Sequence, residues 1–258
     1  MDNFLGRFLT KNRQANSHPL IFPEKKLCLF FTPKAGCTFA TKWFFYQQGI
    51  LDNALAYNPF VHDYRRDVYI KNKSYKNERK HIFSDDYTRI KLVRSPFQRA
   101  VSSYINAILS EYITKEISSF LERSLSRESR FSFEEFISFL EKIGVQNCNP
   151  HSRVQVLVEE QKNNLSFAHI VKLENSFTEF RHLEKILRLK TSDLATLSDS
   201  FHHNIKIPST SFNGDKVLGQ INTGYYEYKS FYNDSLRERV AILYSSDFLQ
   251  YGYNNDEL

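Results

Sequence analysis

The chain has 258 residues, enough for one α/β domain with a full core, and its 41% hydrophobic and 25% charged content is that of a soluble globular protein. No apolar run approaches the roughly 20 residues needed to cross a bilayer, so a transmembrane class is excluded, while peripheral membrane contact stays open. A net charge of +6 fits an anionic partner, but the basic residues form only short clusters such as Lys25-Lys26 and Arg65-Arg66. Diffuse steering of a small anionic ligand is therefore favoured over nucleic-acid binding.

Arg7, Lys11 and Arg13 precede no continuous apolar stretch, so the N-terminus does not read as a secretory signal. Residues 1–26 are expected to be an extension to a domain spanning 27–258. Cys28, Cys37 and Cys148 are odd in number and lack metal-ligand spacing, which fits a reducing compartment and no bound metal. The aromatic share of 15% is explained mainly by an aromatic-rich core.

Taken in chain order, Leu27-Cys28-Leu29-Phe30-Phe31 is a continuous apolar run ending at Pro33 and Gly36, the pattern of a buried parallel strand. Residues 38–48 then read as a helix stopped by Gly49. The segment 53–86 is polar and mixed, and its pattern assigns no element. Residues 90–93 form a second strand candidate, followed by Pro96 at a first helical position and a helix over 97–110. Ser132 and Glu135 make a capping box that opens a helix over 132–140. A third strand at 169–173 precedes a helix at 176–189, and 234–244 is a C-terminal amphipathic helix. Strands alternating with helices predict a single α/β domain: a P-loop-like parallel sheet flanked by helices.

Two strand ends carry chemistry. After the first comes Thr32-Pro33-Lys34-Ala35-Gly36-Cys37-Thr38. Gly36 permits a tight turn, and the amides of Gly36, Cys37 and Thr38 would face outward at a helix N-terminus, which attracts anions. The Thr38 hydroxyl and the Lys34 charge add to that site. The lysine precedes the glycine, unlike the Walker loop; the plain alternative is an ordinary strand-to-helix turn with a surface lysine. The second strand ends in Arg94-Ser95-Pro96-Phe97-Gln98-Arg99, with Ser102 and Tyr104 beyond it. Arg94 lies where open α/β sheets bind ligands, and its planar fork suits a phosphate. Ser102 shares a helix face with Arg99 and offers a hydroxyl. Two anion-adapted strand ends imply a ligand with two separated anionic groups.

Together the two motifs resemble those of sulfotransferases that use 3'-phosphoadenosine-5'-phosphosulfate (PAPS), in the carbohydrate branch of chondroitin 4- and heparan 2-O-sulfotransferases. Pro33-Lys34-Ala35-Gly36-Cys37-Thr38 is similar to that family's 5'-phosphosulfate loop. Residues 94–104 resemble its 3'-phosphate motif Arg-Asp-Pro-Phe-x-Arg-x-x-Ser-x-Tyr, with Ser95 in place of Asp. Further likeness lies in the helix opening at Ser132, in Pro150-His151-Ser152-Arg153-Val154-Gln155, in 170–175, at His203-Asn204 and in 243–248.

The resemblance implies sulfuryl transfer from PAPS, with no metal, to a hydroxyl of a carbohydrate or glycoconjugate. It implies PAPS contacts from Lys34, Ala35, Gly36, Cys37, Thr38, Arg94 and Ser102, and acceptor contacts from His151, Arg153 and Gln155. Lys34 would neutralise charge on the leaving oxygen. His81 would be the general base, with His151 and His62 as alternatives. A cytoplasmic, bacterial enzyme fits a chain without an anchor. Two other classes compete. A kinase with an atypical phosphate loop would need a carboxylate–magnesium arrangement, which no cluster in the sequence supplies. A non-catalytic binder of anionic polymers would show no preference for a 3'-phosphate.

Overall fold

In a computed structural model, the structure describes residues 18–110, 113–126, 130–146, 148–162, 165–199, 206–207, 209, 211–218, 225–256 and 258. In chain order the elements begin with β1 (Leu20–Phe22), β2 (Leu27–Phe31), α1 (Cys37–Gln48), α2 (Leu51–Tyr57), α3 (Val61–Tyr64), a π-turn (Arg65–Tyr69), α4 (Lys73–Glu78) and β3 (Thr88–Val93). They continue with α5 (Pro96–Ser110), α6 (Thr114–Phe120), α7 (Phe133–Ile143), α8 (Val158–Lys162), β4 (His169–Lys172), α9 (Ser176–Ile186) and α10 (Leu194–Ser198). The two-residue strands β5 (Lys206–Ile207) and β6 (Tyr225–Tyr226), then α11 (Asp234–Leu243) and α12 (Ser245–Tyr251), complete the order.

The fold is α/β, as the alternation of strands and helices implied. Its described residues fall into two compact units, one from 13–94 and 157–201, the other from 95–156 and 202–258. The chain passes between them at residues 94/95, 156/157 and 201/202, so the two interleave and a contiguous cut would isolate neither.

The first unit holds the main sheet, ordered β1-β2-β3-β4. β2, β3 and β4 are parallel, and β1 runs antiparallel to β2. Leu20–Phe22, within the stretch expected to be an extension, is thus an edge strand of the sheet, with Leu20 and Ile21 buried.

Side chains alternate across the sheet with the period of two that a strand imposes. Leu20, Leu27, Leu29, Ile90, Leu92 and Val171 face a cluster built by Ala40, Trp43 and Phe44 of α1 with Phe180 and Leu183 of α9. Ile21, Cys28 and Phe30 face Tyr75, Ile82 and Tyr87 on the other side. α1 buries residues from Phe39 to Gln47 on nearly every side.

Under its indole, buried Glu184 accepts hydrogen bonds from Trp43 Nε1 at 3.0 Å, Ser192 Oγ at 2.5 Å and Arg181 Nη1 at 2.6 Å. Across the sheet, Lys91 and Glu160 form a fully buried ion pair. Such a pair is costly to break from one side, because the survivor is a buried charge without its partner.

The second unit is mainly helical. α5, α7 and α11 enclose an aromatic core in which the Tyr104 ring meets Phe133 at 5.5 Å, Phe136 at 5.8 Å and Phe231 at 5.9 Å. Much of the aromatic content among the described residues is core or packed against it. The capping box forms as expected: Ser132 Oγ accepts from the Glu135 amide and Glu135 Oε2 from the Ser132 amide. Buried Asp247 of α12 takes the amides of Gln155 at 2.7 Å and Val156 at 3.0 Å, pinning the segment 149–156. Among the described residues no helix is long and apolar enough to cross a membrane.

The turn from β2 into α1 depends on Gly36, whose φ is +85°. A Cβ placed there would meet Leu173 Cδ1 at 2.5 Å. Gly36→Ala is expected to lower stability by about 1–3 kcal/mol, combining left-handed strain with displacement of Leu173. Equal denaturant midpoints for the variant and the wild type would contradict this account of the turn.

Candidate active site

The phosphate-loop candidate is a strained turn at the C-terminal end of β2. The Thr32 carbonyl accepts from the Ala35 amide at 3.3 Å, closing the turn under a buried Ala35. Lys34 has φ +70° and Gly36 φ +85°. Glycine adopts that region freely, whereas a lysine held there costs of order 1 kcal/mol or more and concentrates at functional sites.

Gly36 is the N-cap of α1, and among the described residues no side-chain cap hydrogen bond forms there. The first-turn amides of a helix have no intrahelical acceptor, so this end presents open donors and the positive end of the helix dipole. Arg94, directly after β3, donates Nη1 to the Lys34 carbonyl at 3.2 Å. The two motifs' strand ends are adjacent because β2 and β3 pair in parallel, Phe31 against Leu92.

His62 reaches the same helix end. Its Nε2 lies 3.1 Å from Thr38 Oγ1, and its ring packs edge-on to Phe60 at 4.9 Å. Asn58 fixes the entry to α3, accepting from the Phe60 amide at 2.8 Å and donating to Asp63 at 2.9 Å. The position of His62 thus comes from the segment that the sequence pattern left unassigned.

His81, expected from the resemblance to be the base, lies at the opposite edge of the sheet. It precedes the start of β3, whereas the loop follows the end of β2. Leu27 pairs with Thr88 and Phe31 with Leu92, so about 13 Å of strand rise separates the two edges. The flanking acidic residues do not orient its ring: Ser84 Oγ hydrogen-bonds Asp86, which also pairs with Lys26 at 3.6 Å. His81 is exposed on this turn, before the start of β3, whereas Lys34 follows the end of β2.

The acceptor candidates lie in the second unit. Gln155 is 0% exposed, with its backbone amide on Asp247. Arg153 is half-buried and donates Nε and Nη2 to the Cys148 carbonyl at 3.2 and 2.9 Å, closing the same segment. His151 is half-buried, its Nδ1 is 2.9 Å from Asn149 Oδ1, and its carbonyl accepts from Ser103 Oγ at 2.5 Å. Ser102 lies half-buried on α5, on the helix that holds buried Arg99. His203 and Asn204 lie outside the described residues.

All three cysteines are free thiols. Burial pushes Cys28 up to about 12 and Cys148 to about 11, so both stay protonated. Half-buried Cys37 supplies the first residue of α1. Among the described residues no group of three or more His, Cys, Asp or Glu is placed to hold a metal ion.

A model of the sulfotransferase family matches residues 17–254. The match takes in β1, the Lys34–Gly36 turn, α3 with His62, and every strand of the main sheet. No curated protein and no solved structure matches the chain. With the family model covering nearly the whole chain, and an open helix end at the edge of a parallel sheet, the chain belongs to the sulfotransferase family.

Proposed function

We propose that the protein transfers a sulfuryl group from PAPS to a hydroxyl of a carbohydrate or glycoconjugate. The observation that carries this reading is the uncapped N-terminus of α1 behind the strained Lys34–Gly36 turn, with Arg94 at the neighbouring strand end. The amides of Cys37 and Thr38 would hold the 5'-phosphate. Arg94 and Ser102 would serve the 3'-phosphate, a role that rests on the motif of 94–104, since each residue belongs to its own unit.

In the transfer the acceptor oxygen attacks sulfur, and the bond from sulfur to the bridging oxygen breaks. The acceptor proton passes to a base, and the bridging oxygen leaves with the nucleotide. Charge builds on that oxygen, and a lysine beside it stabilises the transition state more than the ground state. Lys34 fits this role. Among the histidines, His62 fits the base, because its ring stands at the same helix end and an imidazole titrates near neutral pH.

Cofactor choice tests the reading first. 3'-Phosphoadenosine-5'-phosphate (PAP), the product nucleotide, should bind about 10- to 100-fold more tightly than AMP, as expected for one set of charged hydrogen bonds. Equal affinities by calorimetry would remove the two-phosphate reading. Turnover of labelled PAPS with a panel of glycans would name the acceptor.

The base is tested by comparing variants in that assay. His62→Ala should lower kcat by about a hundredfold or more with PAP affinity nearly intact, and His81→Ala should stay active. Lys34→Ala should lower kcat more than it weakens PAP binding. A fully active His62→Ala enzyme would eliminate His62, and loss confined to His81→Ala would restore the assignment that the geometry disfavours.

A further inference from the structure

The segment that brings His62 to α1 also carries a half-buried cation, Arg65, that the reaction described above does not use. Arg65 opens the π-turn, whose Ile70 amide donates to the Arg65 carbonyl five residues back at 3.1 Å. Such one-turn insertions are uncommon and recur at functional sites. His62 and Arg65 are three residues apart, so they fall on one side of the helical segment.

The Arg65 guanidinium lies over the ring of Phe31, the last residue of β2, at 4.9 Å. It donates Nη2 to the His18 carbonyl at 2.5 Å. Its Nε is buried and has no hydrogen-bond partner. Among the described residues no carboxylate forms an ion pair with it; partial burial pulls its pKa down, opposed by Cys37, Tyr75 and Tyr69. A guanidinium N–H buried without an acceptor is costly. Its fork is shaped for an oxyanion, and Phe31 and Cys37 bracket the turn that leads into the open end of α1.

We infer that Arg65 is an oxyanion-binding residue of this loop, supplying the anion held at the α1 N-terminus with a second cation beside Lys34. The identity of that anion as a phosphosulfate rests on the function proposed above; the recognition of an oxyanion does not.

Arg65→Met keeps the length and the packing on Phe31 but removes the charge. Calorimetry and melting curves with PAP and with inorganic pyrophosphate compare it with the wild type. The variant should bind both probes about tenfold or more weakly, with an unliganded Tm no lower than that of the wild type, since a buried donor without an acceptor is gone. Unchanged affinity, with or without a lower Tm, would overturn the inference and leave Arg65 as a strut between Phe31 and His18. If the Met variant does not fold, the NMR signal of Arg65 Nε–H in the wild type, identified by its loss in Arg65→Lys, must shift when pyrophosphate is added; an unmoved signal overturns the inference. Pyrophosphate binding that depends on Arg65, without PAP binding, would sustain the inference and remove the PAPS reading. PAP binding that ignores Arg65 would do the reverse, and a wild type that binds neither probe would overturn both.

Discussion

Two left-handed residues flank Ala35, and the site depends on what they do to the chain. They turn it sharply enough that α1 begins at Cys37, six residues after the end of β2 at Phe31. Gly36 tolerates that conformation, but Lys34 does so at a cost, held in part by the hydrogen bond from Arg94 to its carbonyl. Leu173 closes the space where a side chain on residue 36 would sit. The parallel pairing of β2 with β3 puts Arg94 beside the turn, and α3 places His62 against Thr38.

Buried polar anchors hold the framework of each unit by itself. In the first unit, Glu184 gathers Trp43, Ser192 and Arg181, and Lys91 with Glu160 ties α8 to the sheet. In the second, Asp247 and the Tyr244 hydroxyl fix the segment 149–156 through the Gln155 and Val156 amides and the Ser152 carbonyl. Buried charges of this kind lose several kcal/mol when one partner is removed, so they define one arrangement of the backbone.

Where the sequence pattern was local and strong, it was legible. The apolar run of β2, Gly49 in left-handed conformation at the end of α1, Pro96 at the start of α5 and the Ser132–Glu135 box each carry their cause within a few residues. β4 and α9 also lie where 169–189 suggested, although α9 ends at Ile186. The stretch 53–86 was illegible because most of it breaks into short helical pieces, one of them a π-turn that shifts the 3.6-residue period. β1 was missed because three residues are too few for an alternation. The choice among histidines could not be made from spacing, since His81 is nearer to Arg94 in sequence yet lies at the other edge of the sheet. Only the parallel register separates the two edges.

The central claim is that the open amides of α1 are the anion site. Hydrogen–deuterium exchange with and without PAP measures those amides directly. Slowed exchange over residues 35–39, with no change over 80–86, is the expected result. Unchanged exchange at the start of α1, in a protein shown to bind PAP, would contradict the account and move the site elsewhere.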